Sequence, residues 1–461
     1  MSDSHSKSDP IFEDTIVAIS TPPGRGGIGI VRLSGPAARA IAEPLLKLRH
    51  PLAAAQARFA EILDSTSENP TLTLDEAVVT YFQSPHSYTS EDIVEIAAHG
   101  SPVLLDHLLR QCVAAGARLA EPGEFTQRAF LSGRLDLTQA EAVHDLIEAS
   151  TLHQARIAAQ QLGGSLSRQI TPIKQQLIAL IAALEAGIDF AEDDIDTLPA
   201  TEITRQIHVI QTPLTALEQT FAYGRIVREG FTLAIVGRPN AGKSSLFNRL
   251  IQRDRAIVTA TPGTTRDTVT ERVSLEGIPV ELMDTAGLRH STDEAESLGI
   301  ARSREAMAEA DIVLLVLDAT APLHAEDEAI LAALNTRPHL IVRNKHDLTS
   351  SPTKPTSHKA IETSALTGTG IHELRHAILS LITSSVPTSE TALLTNLRQQ
   401  QAVTAALTAL TKAQEAAAAS IPHEMILLDL YESLRALDAL TGATTSDDIL
   451  HLIFSTFCIG K

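Results

Sequence analysis

The sequence predicts a multidomain chain: an N-terminal α+β domain, an α-helical bundle that is discontinuous in the sequence, and a P-loop α/β domain inserted into that bundle. Three observations carry this. Strand-like alternation of apolar and polar residues dominates up to about residue 120. Helical periodicity takes over from residue 137 and returns after 392. Between them, from Gly230, short apolar β-branched runs alternate with helical stretches, as in a doubly wound domain with a largely parallel sheet. The expected boundaries are 1–133 for the N-terminal domain, 134–225 and 385–461 for the two helical parts, and 226–384 for the α/β domain. One bundle with an insertion accounts for the flanking helices more economically than two separate helical domains.

Composition narrows the function classes. Hydrophobic residues make up 44% of the chain, ample for several cores, but aromatics are only 3% and Trp is absent, so packing rests on Leu, Ile, Val and Ala. A net charge of −19 argues against broad nucleic-acid binding by bulk field, so any such contact needs a local basic patch or a partner. No apolar run approaches the ~20 residues of a membrane helix. The polar start "MSDSHSKSDP" lacks the apolar core of a secretory signal. Two distant cysteines, Cys112 and Cys458, make neither a disulfide framework nor a zinc site. The expected setting is a reducing cytoplasm, with no membrane involved.

In the N-terminal domain, "TIVAIS" (15–20) reads as a strand and "TPPGRGGIGIVRLSG" (21–35) follows it. Gly24, Gly26 and Gly29 match the dinucleotide fingerprint G-x-G-x-x-G. That fingerprint needs a helix opening at the glycines and an acidic residue about 20 positions on. Here "IGIVRLSG" alternates like a second strand, helix signals begin only at Pro36, and "KLRH" stands where the acid belongs. A glycine-rich hairpin is the expected structure. "DEAVVTYF" (75–82) and "EDIVEIAAHG" (91–100) are further strands, and "PVLLDHLLRQCVAAGA" (102–117) is a helix with Cys112 on its apolar side.

Helices follow over 137–162 and 165–190, separated at Gly163–Gly164. The acidic stretch 185–196 reads as a solvated face and linker. A further helix is expected over 201–222, and "SSVPTSETA" (384–392) is the linker that returns the chain to helical sequence.

The α/β domain carries the clearest chemistry. "GRPNAGKSS" (237–245) follows a strand and matches G-x-x-x-x-G-K-S/T. Its glycines let backbone N–H groups turn toward phosphate, Lys243 suits the β- and γ-phosphates, and the Ser244 hydroxyl suits magnesium. "DTAG" (284–287) also ends a strand; Asp284 suits magnesium through water and Gly287 the γ-phosphate. Between them, "TPGTTRD" (261–267) offers Thr265 to the same metal. In "NKHD" (344–347), the carboxylate oxygens of Asp347 suit the adjacent N–H groups of guanine, which adenine does not present. "TSAL" (363–366) can add a backbone contact to the base. Motifs in this order, each at a strand end, predict a P-loop GTPase. The GTP-binding set is Asn240, Ala241, Gly242, Lys243, Ser244 and Ser245; Thr259, Ala260, Thr261, Pro262, Gly263, Thr264 and Thr265; Asp284, Thr285, Ala286 and Gly287; Asn344, Lys345, His346 and Asp347; and Ser364, Ala365 and Leu366.

Cleavage needs a further group. Leu288 stands where Ras-like proteins carry a water-orienting glutamine, and leucine cannot orient water. An arginine finger or a monovalent cation can offset transition-state charge. Asn240 either offers an amide oxygen to such a cation or simply favours the turn.

The chain ends "STFCIGK". Cys458 is either a buried thiol in a docked tail or a reactive thiol, and the tail alone decides neither.

Taken together, "TPPGRGGIGIVRLSG", "GRPNAGKSSLFN", "TPGTTRD", "DTAGLR" and the terminal "FCIGK" resemble the MnmE (TrmE) family of tRNA uridine-modification GTPases, from about residue 14 to 461. The resemblance implies an N-terminal α+β folate-binding domain that also forms a homodimer, a discontinuous helical domain and an inserted G domain. It implies a flavoprotein partner, MnmG, which carries FAD and uses NADH. With that partner, an aminomethyl or carboxymethylaminomethyl group is added to C5 of the wobble uridine of certain tRNAs. It places 5-formyltetrahydrofolate or a related one-carbon folate at Arg32, Glu95, Arg134 and Lys461. It makes Asn240, Thr259, Thr261 and Thr264 ligands of K+, and Ser244 and Thr265 ligands of Mg2+. Glu296 becomes the glutamate that positions the attacking water, and Cys458 a functional nucleophile. The competing expectation is a GTP switch in ribosome assembly, which normally adds a basic RNA-binding domain that this chain does not show.

Overall fold

The glycine-rich N-terminal stretch folds back on itself, as expected. In the computed structural model, β1 (Ile16–Ile19) and β2 (Gly26–Ser34) pair antiparallel, with Ile16 opposite Ser34 and Ile19 opposite Val31. Gly29 lies close against a core leucine: a Cβ there would stand 2.3 Å from Leu105 Cδ1. The structure describes residues 12–64, 72–189, 198–251, 269–284, 307–334, 337–349, 359–382, 392–443, 450 and 453–460. It divides into two units, residues 1–144 with 438–461, and residues 145–437.

The first unit is built on a seven-stranded sheet in the order β3-β4-β5-β6-β2-β1-β7. Here β3 is Leu46–Leu48, β4 Gln56–Leu63, β5 Thr73–Phe82, β6 Ile93–Gly100 and β7 Arg118–Leu119. Pairing is antiparallel except between β1 and β7. Helices α1 (Ala38–Ala42) and α2 (Pro102–Ala114) supply residues to the main core. There Leu105, Leu108 and Cys112 join Val17, Val31, Leu33 and Ile96. Each such buried side chain stabilises by about 1.5–3 kcal/mol, so a one-residue slip of β2, which would turn Val31 and Leu33 outward, is strongly disfavoured. Ile16 and Ala18 cluster instead with Ala120 and with Phe125 of α3 (Glu124–Leu131). Residues 46–63 carry no strand signal in the sequence. "QARFAEIL" is rich in helix formers, and pairing with β5 overrides that local preference.

A buried cation fastens α3. Arg128 is 1% exposed and donates to Asp14 Oδ1 at 2.7 Å, Glu124 Oε1 at 3.0 Å and Glu91 Oε1 at 3.2 Å. A charge this deep must be paired, and here the pairing ties α3 to the chain entering β1 and β6. Helix α4 (Leu137–Glu148) follows. The C-terminal segment joins the same unit: Phe454 and Phe457 are buried, and the Phe457 ring lies 5.0 Å from His144.

The second unit combines helices with a second sheet. Helices α5 (Leu152–Leu162), α6 (Ser165–Asp189), α7 (Ala200–Gln219) and α8 (Phe221–Glu229) precede the sheet, and α12 (Leu397–Ala418) and α13 (His423–Thr441) follow it. Helix α7 packs along α12. Ile203, Ile207, Ile210, Leu214 and Leu217 recur at helical spacing on one, and Val403, Ala406, Leu410, Ala413 and Ala417 on the other. Thr404 Oγ1 adds a hydrogen bond to Glu218 Oε1 at 2.6 Å. Segments far apart in sequence thus share one helical layer.

The six-stranded sheet runs β13-β12-β11-β8-β10-β9. Its strands are β8 (Phe231–Val236), β9 (Val269–Leu275), β10 (Ile278–Asp284), β11 (Ile312–Asp318), β12 (His339–Asn344) and β13 (Ala360–Glu362). All neighbours are parallel except β9 and β10. Helices α9 (Lys243–Ile251), α10 (Ala325–Leu334) and α11 (Ile371–Ile382) accompany it. Strand β11 is buried along almost its whole length, so it reads as a continuous apolar run rather than an alternation. Among the described residues, no helix is long and apolar enough to cross a membrane.

Candidate functional site

The carboxyl ends of parallel strands bring the loop 237–242, Asp284, "NKHD" and "TSAL" to one edge of the second sheet, where α/β folds bind ligands. Buried β8 leads directly into the loop 237–242, and α9 opens at Lys243. A helix N-terminus at this point suits an anion. Lys243 Nζ donates to the carbonyls of Gly237 at 2.7 Å and Arg238 at 2.9 Å, so the ammonium is held against the loop. Asn240 is exposed with φ 64°, a left-handed conformation at the loop crest. Ala241 is buried, Gly242 and Ser244 are half-buried, and Ser245 is exposed. Asp284 ends β10 opposite Ile235 of β8, which sets its backbone beside the start of the loop.

Asn344 ends β12 and is almost wholly buried. Its Nδ2 donates to the carbonyls of Ala241 at 3.3 Å and Gly242 at 3.4 Å, while its Oδ1 accepts from Ala365 N at 3.0 Å. One side chain therefore joins the phosphate-type loop to the 363–366 segment. Lys345 takes φ 66°, and its Nζ meets Asp318 Oδ2 at 2.7 Å. Burial pushes the Asp318 carboxyl up, but hydrogen bonds from Lys345 and Thr320 outweigh it and hold the group below its usual range. His346 and Asp347 lie exposed in the short helix His346–Leu348, with His346 N bonded to the Thr363 carbonyl at 3.0 Å. Ser364 is buried and Leu366 is exposed. Asp318 belongs to none of the sequence motifs; its signal is an acid closing the apolar run "IVLLVLD" at the same sheet edge.

Thr259, Ala260, Thr261, Pro262, Gly263, Thr264, Thr265, Thr285, Ala286, Gly287, Leu288, Glu296 and Lys461 lie outside the described residues.

A second site forms in the first unit. Arg32 and Glu95 are cross-strand partners of β2 and β6, and Arg32 Nε donates to Glu95 Oε1 at 2.8 Å. Arg32 Nη1 donates to the carbonyl of Gly460 at 3.2 Å, which Ser20 Oγ also reaches at 3.1 Å. The Arg32 guanidinium stands 5.6 Å from the Phe125 ring centre. Arg134 bonds through Nη1 to the Ser87 carbonyl and lies over the Tyr88 ring at 5.9 Å. Burial raises the Tyr88 hydroxyl, and the nearby charges of Arg32 and Arg134 both oppose that rise. Tyr88 is thus the aromatic group that both arginines approach, and nothing in its local sequence marked it.

The two cysteines separate cleanly. Cys112 is fully buried, and burial pushes its thiol up to about 12. Of the two readings left open for the tail thiol, the structure shows the docked tail but not the buried thiol. The tail is docked, through an Ile459–Pro122 bridge and a Gly123 N–H to the Cys458 carbonyl at 3.4 Å, but Cys458 itself is exposed. Docking uses the backbone and Phe457, which leaves the thiol outward.

Known proteins place this arrangement. A family model described as the MnmE helical domain matches residues 137–458, and one described as the GTP-binding protein TrmE N-terminus matches residues 15–134. The tRNA modification GTPase MnmE of Koribacter versatilis is 59% identical over 455 residues, covering 98% of this chain and 100% of its own. That of Aquifex aeolicus is 42% identical over 453 residues, again covering 98% and 100%. The G domain of the T. maritima FeoB iron transporter aligns with 33% of this chain and 98% of its own at 27% identity, with a TM-score of 0.25, too low to bear on the fold. On the full-length likeness, the chain belongs to the MnmE family of tRNA modification GTPases.

Proposed function

We propose that this protein hydrolyses GTP and couples that cycle to the modification of tRNA. The observation that carries the reading is Asn344, which ties the phosphate-type loop to Ala365 beside the guanine-type aspartate Asp347. Lys243 exchanges its carbonyl partners for the β- and γ-phosphates, and the N–H groups at the start of α9 hold the same charge. Ser244, half-buried on the first turn of α9, joins Thr265 and, through water, Asp284 in a set of hard oxygen donors that suits Mg2+. Magnesium, when bound, offsets negative charge on the phosphates. Asn240, Thr259, Thr261 and Thr264 supply uncharged oxygens that suit K+, and Asn240 stands at the loop crest where it can reach such an ion. Glu296 positions the attacking water.

In the first unit, two arginines beside the Tyr88 ring and the Phe125 ring suit a flat, anionic ligand such as 5-formyltetrahydrofolate or a related one-carbon folate. Arg32, Glu95, Arg134 and Lys461 would hold it, and exposed Cys458 supplies a nucleophile toward the uridine ring or the one-carbon unit. The substrate position is C5 of the wobble uridine, reached by a homodimer working with the flavoprotein MnmG, which brings FAD. A tRNA substrate supports a cytoplasmic place.

Two measurements test this. GTP turnover is expected to rise sharply in potassium over sodium, and equal rates would remove the cation from the mechanism. Nucleosides from cells lacking the protein are expected to lose the aminomethyl or carboxymethylaminomethyl uridine. An unchanged nucleoside profile with a ribosome-assembly defect would favour the GTP switch instead.

A further inference from the structure

Arg238 is the second residue of "GRPNAGKSS", and its carbonyl accepts from Lys243 Nζ at 2.9 Å and from Ala241 N at 3.3 Å. Its side chain turns the other way, to the first turn of α10, where Nε lies 2.9 Å from Asp327 Oδ2. Asp327 is 1% exposed, and its Oδ2 also accepts from His324 N at 3.1 Å. The pair is close but poorly aligned. Arg238 Nε makes no directed hydrogen bond, and Asp327 Oδ1 is buried with no hydrogen-bond partner among the described residues.

An ion pair between buried Asp327 and half-buried Arg238, with an unsatisfied atom on each, adds little net stability, because desolvation offsets the attraction. Its effect here is geometric. Asn344 anchors the far end of the loop at Ala241 and Gly242, and Asp327 anchors the near end at Arg238. The near end carries the carbonyl against which Lys243 rests.

We propose that Asp327 is a positioning residue for nucleotide binding, acting through Arg238 to hold the start of the phosphate loop in its phosphate-receiving geometry and to keep the Arg238 cation turned toward α10. The proposal rests on the reading of 237–245 as the phosphate loop.

The test uses the full chain, a fluorescent N-methylanthraniloyl GDP and thermal unfolding. Asp327→Asn and Arg238→Met are each expected to weaken binding about tenfold, a change of ~1.4 kcal/mol. The double variant Arg238→Met/Asp327→Asn removes both charges and keeps an amide oxygen that can accept from His324 N. It is expected to unfold at or above the wild-type midpoint while keeping the weakened affinity. Wild-type affinity in the double variant would overturn the proposal, because the pair would then matter only to folding. Failure of the unaltered protein to bind the probe would overturn the guanine-nucleotide reading, and this proposal with it.

Discussion

Arg32 Nη1 donates to the carbonyl of Gly460 at 3.2 Å, across 428 residues of sequence. The contact places the tail beside the Arg32–Glu95 pair, so its loss should be felt at that site. Gly460 takes φ +95°, and a Cβ there would stand 2.6 Å from the Ile19 carbonyl oxygen. Gly460→Ala is expected to undock the tail at a local cost of about 1–3 kcal/mol. GTP turnover should stay near the wild-type rate while tRNA modification falls steeply. Nucleoside analysis beside a GTPase assay checks this, and normal modification would show that docking is dispensable.

The exposure difference between the two thiols predicts their reactivity. In the native protein one thiol per chain, Cys458, should react with a disulfide reagent, and the second, Cys112, only after unfolding. Cys458→Ser should abolish the fast phase, leave folding and GTP hydrolysis intact, and eliminate tRNA modification. Retained modification would return Cys458 to a passive place in the tail.

Asn344→Ala removes both a donor to the phosphate-type loop and an acceptor for Ala365 N. Leaving those buried groups unpaired costs about 1–3 kcal/mol. Thermal stability and GDP affinity should therefore fall together. Asp347 is exposed, so Asp347→Asn should leave stability unchanged and relax selectivity for guanine, read by competition with xanthine and inosine nucleotides.

Asp318 predicts an acid limb. Its carboxyl is held below its ordinary 3.8, chiefly because hydrogen bonds from Lys345 and Thr320 overcome the effect of burial. A depressed carboxylate contributes stability that is fully present above the unfolded value and is lost as pH falls through the folded one. Asp318→Asn should therefore lower stability near neutral pH and flatten its decline below pH about 4. An unchanged acid limb would show that the Lys345 contact does not shift folding.

Glu296→Ala is expected to lose most GTP cleavage while keeping nucleotide affinity, since the residue lies outside the phosphate and base motifs. Single-turnover hydrolysis and equilibrium binding separate the two effects. A normal hydrolysis rate would assign the water to another group.

The sequence by itself determined the elements whose instructions are local. The loop 237–245, "NKHD" and "TSAL" are contiguous motifs at the ends of apolar runs, and a parallel sheet carries such ends to one edge whatever its exact order. The helical segments were legible because burying one stripe leaves a 3.6-residue period, as in Ile203, Ile207, Ile210, Leu214 and Leu217. The tertiary structure alone decided which distant groups meet. Strand β4 exists because β5 pairs with it, against its own helix-forming composition. Arg32 reaches Gly460, Asn344 reaches Ala241, and Arg238 reaches Asp327, through sheet register and helix placement that no local pattern specifies. The exposure of Cys458 is of the same kind: apolar neighbours predict that its segment docks, but which side chains face inward is settled only when Phe457 fills the space beside His144 and Ile459 pairs with Pro122.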